Sequence, residues 1–150
     1  MKVRKRIGLV AHDNRKKALI EWVEQNREEL LQHDLVCTGT TGKLVEECLR
    51  QNGASGPTVT KLKSGPLGGD QQLGGMIAEG KVDMLIFLWD PMQPHPHDVD
   101  VKALLRITAL YNIPTANNRS TADFLISSPL MRQEYAPQLQ DYSSYIDRKL

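Results

Sequence analysis

Five short apolar runs punctuate the chain, and polar clusters followed by segments of helical spacing lie between them. Ile7-Gly8-Leu9-Val10-Ala11 shows no alternation, the pattern of a strand buried on both faces. His12-Asp13-Asn14 then leads into Lys17-Ala18-Leu19-Ile20-Glu21-Trp22-Val23, which predicts a helix to about Gln32 with Asp13 or Asn14 as N-cap. Leu35 to Thr38 predicts a second strand. After Gly39-Thr40-Thr41-Gly42 an amphipathic helix is expected over Leu44 to Gln51, stopped by Asn52-Gly53. Ala54 to Thr58 reads as a loop, Val59 to Leu62 as a weak third strand, and Gln71 to Glu79 as a helix ended by Gly80. Asp83 to Trp89 carries the strongest strand signal, and a loop over Asp90 to Asp98 contains Pro91, Pro94 and Pro96. A helix over Val99 to Tyr111 and a fifth strand over Ile113 to Ala116 follow. Thr121 to Ile126 predicts a helix capped by Ser120 or Thr121, and the tail from Pro137 reads as helical.

Strands alternating with helices predict an α/β fold, with a five-stranded parallel sheet covered on both faces. In such sheets ligands bind beyond the carboxyl ends of the strands. The residues just after the first four strands are His12-Asp13, Thr38-Gly39-Thr40-Thr41, Ser64-Gly65 through Asp70, and Asp90 through Asp100. All the polar clusters therefore fall on one edge, and that edge is the expected site.

Composition narrows the partners. At 150 residues, 40% hydrophobic and 25% charged, the chain is expected to be one globular domain over 1–150. A net charge of +1 gives no general affinity for nucleic acid or membrane, so any anion preference must be local. Met1 to Arg6 is basic, but the apolar run behind it is too short for a signal sequence or a span. Cys37 and Cys48 fit neither a disulfide framework nor a metal-ligand spacing, and the expected compartment is reducing cytoplasm.

The densest chemistry is Ser64-Gly65-Pro66-Leu67-Gly68-Gly69-Asp70-Gln71-Gln72. Glycine-rich backbone can approach an anion closely and point N–H groups at it, above all where a helix begins. Asp70 stands at the mouth of that loop, either as a general base or as the N-cap of the next helix. Thr38-Gly39-Thr40-Thr41-Gly42 offers hydroxyls and a helix N-terminus to a phosphate, without the spacing of a Walker loop, and reads equally as a capping turn. Lys16, one turn beyond His12, can add a point charge or simply be solvated. His12 at a strand end is a donor to a substrate oxygen or a structural histidine. In His95-Pro96-His97-Asp98-Val99-Asp100, His97 suits proton transfer or carbonyl polarisation, and Asp98 suits an N-cap. No third nitrogen or sulfur ligand stands near the two imidazoles, so a metal site is not expected.

Val10-Ala11-His12-Asp13, the threonine turn, the Ser64 to Gln72 stretch, Trp89-Asp90-Pro91, Pro96 to Arg106 and Asn117 to Asp123 together resemble the methylglyoxal synthase family. The resemblance covers nearly the whole chain. It implies a three-layer α/β/α sandwich, doubly wound, and a lyase turning dihydroxyacetone phosphate into methylglyoxal and inorganic phosphate without cofactor or metal, a glycolytic bypass. It implies Asp70 as the base, His97 as the contact to substrate oxygens and Asp100 as support. Lys16, Thr38, Gly39, Thr40, Thr41, Ser64 and Gly65 would hold the phosphate end, with His12 lining the site. It further implies a homohexamer under allosteric inhibition by phosphate, with an arginine near the C-terminus, here Arg148, reaching a neighbouring subunit. A rival from another class is a non-catalytic phosphate-ligand sensor, since the same fold serves as a regulatory domain in carbamoyl phosphate synthetases. Such a domain has no need of Asp70, His97 and Asp100 together. An aldolase would want a Schiff-base lysine or a metal, and neither is evident.

Overall fold

The computed structural model describes residues 1–50 and 56–149. In chain order it forms β1 (Arg6–Ala11), α1 (Lys16–Gln25), α2 (Arg27–Leu30), β2 (Asp34–Cys37), α3 (Gly39–Arg50) and β3 (Val59–Lys61). There follow α4 (Gly69–Ala78), β4 (Met84–Leu88), α5 (Asp98–Leu110), β5 (Thr115–Ala116), α6 (Arg119–Ile126) and α7 (Ser143–Ile146). The sheet runs β3-β2-β1-β4-β5 with every pair parallel, as the alternation predicts.

Burial explains why the strands lack alternation. Successive side chains of β4 point to opposite faces, and both faces are dry. Met84, Ile86 and Leu88 join Ile7, Leu9, Leu35 and Trp22 in one core, while Leu85 and Phe87 join Val10, Val36, Leu73 and Leu104 in the other. The first core lies under α1, α3 and α6, and the second under α4 and α5. Each fully buried aliphatic or aromatic side chain contributes about 1.5–3 kcal/mol before the entropy of ordering is counted. The three layers are therefore held by two cores sharing one sheet. The connections after β1 and β2 cross one face and those after β3 and β4 the other, so the winding reverses at β1.

Several boundaries differ from expectation. The helix predicted to Gln32 breaks at Asn26, whose side-chain amide donates to the Trp22 carbonyl at 2.8 Å while its own N–H donates there too. Such local side-chain bonding competes with helix continuation. The tail is not helical from Pro137; one turn forms, at Ser143–Ile146. The helix expected from Leu44 begins at Gly39, so the threonine turn is its first turn. The stop at Asn52-Gly53 lies outside the described residues. The cap of α6 is Asn118, not Ser120 or Thr121, and its Oδ1 accepts from the Thr121 N–H at 2.9 Å. Among the described residues no helix is long and apolar enough to cross a membrane.

Candidate active site

A pocket of about 390 Å³ opens beyond the carboxyl ends of β1 to β4. His12, Lys16, Thr38, Gly39, Thr40, Thr41, Ser64, Gly65, Asp70 and His97 all line it. Asp100 does not; it sits in the first turn of α5, where its N–H donates to the His97 carbonyl at 2.9 Å. Asp100 still acts on the site, because its charge helps raise the Asp70 pKa. Arg148 lies outside the lining, stacked over the Tyr145 ring with its guanidinium carbon 3.7 Å from the centroid.

Asp70 is the central group. It is not the N-cap of α4, because that position is taken by Gly68 in the left-handed conformation at φ 103°. Gly69 must also be glycine, since a Cβ there would stand 1.9 Å from the Lys63 carbonyl oxygen. With the chain turned so tightly, Asp70 enters the first turn of the helix, 3% exposed, with neither carboxylate oxygen hydrogen-bonded. Burial pushes its pKa above the ordinary carboxylate value, the neighbouring His97 pulls it back and Asp100 pushes it up again. A desolvated carboxylate with free lone pairs is a strengthened base. His97 Nε2 lies 3.6 Å from Asp70 Oδ2. Gly65 makes room for this pair, because a Cβ there would come within 2.8 Å of His97 Nε2 and 3.2 Å of Asp70 Oδ2.

The imidazole of His12 is anchored at Nδ1. The Asp90 backbone N–H donates to His12 Nδ1 at 3.0 Å, and the Asp90 carboxylate is held by the Asn14 amide at 3.0 Å and by the Met92 N–H at 3.0 Å. Nδ1 is thus the acceptor, so the neutral ring carries its proton on Nε2, which is buried without a partner. Burial, then His95 and His97, push the His12 pKa down to about 4. At neutral pH His12 is an uncharged donor. This also replaces the expected capping roles of Asp13 and Asn14: Asn14 binds Asp90, and Asp13 accepts from Lys16 Nζ at 2.6 Å. Lys16 is accordingly no free surface lysine; its Nζ also donates to the Ala11 carbonyl at 3.3 Å.

The opposite wall suits an anion. The first N–H groups of a helix have no intrahelical partner, and that of Gly39 is taken by the Lys63 carbonyl at 3.1 Å. Thr40 and Thr41 line the pocket at the positive end of α3, beside the buried Thr38 and the Lys16 ammonium. Asp98 is not the N-cap of α5 either: His97 is, and Asp98 Oδ2 accepts from the His95 N–H at 3.2 Å. Sequence reasoning left His95 out of the site, although it lines the pocket and its ring stacks on His12. Asp90, which orients His12, lies on the expected edge and in a stretch that carries the resemblance, but its sequence gives no sign of that role. Among the described residues no three His, Cys, Asp or Glu side chains are placed to hold a metal ion. Burial pushes the Cys37 thiol up to about 12, so it stays a protonated core residue.

Known proteins are similar to this chain over its whole length. The family model for the MGS-like domain matches residues 18–117. The methylglyoxal synthase of Oleidesulfovibrio alaskensis is 60% identical over 148 residues, covering 99% of this chain and 97% of that protein. That of Proteus mirabilis is 55% identical over 146 residues, covering 97% and 92%. A crystal structure of methylglyoxal synthase from Elizabethkingia anophelis superposes with a TM-score of 0.89 at 48% identity, covering 100% of this chain and 95% of that one. A full-length match in sequence and a shared backbone lead to one conclusion: the chain belongs to the methylglyoxal synthase family of enzymes.

Proposed function

We propose that this chain is a lyase that converts dihydroxyacetone phosphate to methylglyoxal and inorganic phosphate, with Asp70 as the base. The observation that carries the reading is the Asp70 carboxylate, buried, unpartnered and facing His97 across a pocket whose other wall suits a phosphate. Lys16, Thr38, Gly39, Thr40, Thr41, Ser64 and Gly65 bind the phosphate end. Asp70 then takes a proton from the hydroxymethyl carbon, and the electron pair left behind forms an enediolate with the adjacent carbonyl. His12 Nε2–H and His97 stabilise the charge growing on the substrate oxygens, as preorganised donors in a desolvated site do. Asp100 keeps Asp70 basic. The enediolate electrons next expel phosphate from the neighbouring carbon, breaking its C–O bond. The resulting enol tautomerises to methylglyoxal. No cofactor enters these steps.

The released phosphate carries the same anionic group as the substrate, which makes it an inhibitor of the same cradle. The homohexamer that the resemblance implies would cover exposed apolar side chains such as Met92, Val99, Phe124 and Ile146. The reading places the reaction in the cytoplasm.

The test is to incubate the purified protein with dihydroxyacetone phosphate and follow phosphate and dicarbonyl together. Equal release of both is expected. If no phosphate appears, the enzyme reading falls and a phosphate-ligand sensor takes its place. Asp70→Asn should lower kcat by about 10³-fold while leaving affinity for a phosphate analogue nearly unchanged. A collapse of affinity instead would make Asp70 a structural group.

A further inference from the structure

The pocket holds a third imidazole for which the proposed reaction has no use. His95 lies on the loop before α5, and its ring stacks on His12 with centroids 3.7 Å apart and planes 27° from parallel. His97 meets the other two rings edge-on, at 5.5 Å from His12 and 5.6 Å from His95. Phe87 closes a third side of His12, edge-on at 5.2 Å. The His95 backbone is itself pinned, because its N–H donates to Asp98 Oδ2 at 3.2 Å.

We propose that His95 is a positioning residue for the reaction: stacked flat on His12, it holds that imidazole in the plane from which Nε2–H meets the substrate oxygen. The proposal rests on the reading above, in which His12 is a donor to the enediolate. The Asp90 N–H fixes one atom of the His12 ring, but a single hydrogen bond leaves the ring free to tilt about it. Phe87 and His97 meet it near-perpendicular, at 76° and 84°, and neither lies parallel to the ring. The flat contact is the one that removes the remaining freedom. A donor held within about 10–20° of the productive line stabilises charge without reorganising during the reaction.

The stack has a second consequence. Burial does most to keep His12 unprotonated, and the nearby His95 and His97 act in the same direction, while Asp90 and Asp98 oppose them. Of the other charged groups that line the pocket with His12, Asp13 is paired with Lys16, and Asp70 faces His97. An imidazole lying flat against His12 makes a second proton there harder to add. Stacking and charge can be separated by substitution, because phenylalanine keeps the flat face and alanine keeps neither.

The experiment compares the full-length protein with His95→Phe and His95→Ala. Histidine-selective ¹⁵N NMR is read without substrate, and steady-state kinetics with dihydroxyacetone phosphate. In the unsubstituted protein His12 should show one tautomer, protonated on Nε2, down to about pH 4. His95→Phe should keep that tautomer and keep kcat within about threefold. His95→Ala should give averaged His12 signals and lower kcat by about tenfold, with KM changed less than twofold. Unchanged tautomer and kcat in His95→Ala would overturn the proposal. So would an equal loss in both variants, or a loss confined to KM, since either would mean that a His95 nitrogen binds substrate directly. Because the NMR arm needs no turnover, it stands even if dihydroxyacetone phosphate is not the substrate.

Discussion

At the scale of single residues, the site is built from groups that folding alone would not leave as they are. Asp70 is buried with both oxygens unpaired, and a buried polar group without a partner costs about 1–3 kcal/mol. Its folded pKa is raised, first by burial. Between the unfolded value near 3.8 and the raised folded one, the native state holds more protons, so Asp70 makes folding less favourable as pH rises. Asparagine cannot ionise, so Asp70→Asn removes the pH-dependent part of that penalty while keeping a buried polar group. The stability of Asp70→Asn relative to the parent, followed by chemical denaturation, should therefore rise from pH 4 to pH 7. A difference that does not change with pH would show that the carboxylate titrates alike in the folded and unfolded chain. Sequence placed Asp70 at the right edge but offered capping as its alternative role, because a carboxylate before a helix looks the same in both. Only the left-handed Gly68 behind it separates the two, and glycine density signals a turn without saying which residue follows inside the helix.

At the scale of elements, one misreading recurs. Asp13, Asn14, Asp70 and Asp98 each stand where a helix begins and each reads as an N-cap, yet none caps its helix with its side chain. Asn14 reaches Asp90, Asp13 meets Lys16, Asp98 accepts from His95, and Asp70 faces the pocket. At these helix starts backbone carbonyls take several of the first N–H groups, as Lys63 does for Gly39 and His97 for Asp100, and the side chains that would cap them are turned to other partners. Where no pocket intervenes, the ordinary rule returns. Asn118 caps α6 with a 2.9 Å bond, and Asn118→Ala should cost about 1 kcal/mol, seen as a melting temperature lowered by roughly 2–4 °C with kcat unaffected. An unchanged melting temperature would show that α6 is held by its packing alone. The strands, by contrast, were legible: the apolar runs of β1, β2 and β4 lack alternation because they are buried, and every end of β1 to β4 lies within one residue of expectation, the half-exposed β3 included. The break at Asn26 was not, because periodicity continues across it through Leu30 and the interruption is made by a single amide.

At the scale of the whole molecule, the buried histidines at both ends of the sheet respond to acid in the same direction, and Asp70 opposes them. Beyond the carboxyl ends, His12 has a folded pKa of about 4 against an ordinary 6.5, burial being the first cause. As pH falls through that window the unfolded chain takes up a proton that the native state refuses, and stability is lost. The shift corresponds to roughly 3 kcal/mol at the 1.36 kcal/mol of one pKa unit. At the amino end of the sheet, His33 is depressed too, by burial that outweighs Glu29. Its Nδ1 accepts the Lys5 N–H at 3.1 Å, which ties α2 to the start of β1. Glu29 resists ionisation through burial, but Arg132 and His33 prevail and hold its pKa low, and the Arg4 guanidinium does the same for Asp34. Depressed carboxylates stabilise the native state above their unfolded pKa values and lose that contribution as pH falls through the folded ones. The two kinds of group therefore act in sequence, histidines below about pH 6.5 and carboxylates below about pH 4.5. Urea midpoints measured from pH 7 to pH 4 should fall, with His12 and His33 together outweighing Asp70, whose raised pKa acts the other way. His12→Gln should flatten the upper part of that curve while leaving the lower part in place, because glutamine has no proton to refuse. If the curves of parent and variant run parallel between pH 6.5 and 4, His12 titrates in the native state as it does in the unfolded chain, and burial does not hold its imidazole neutral.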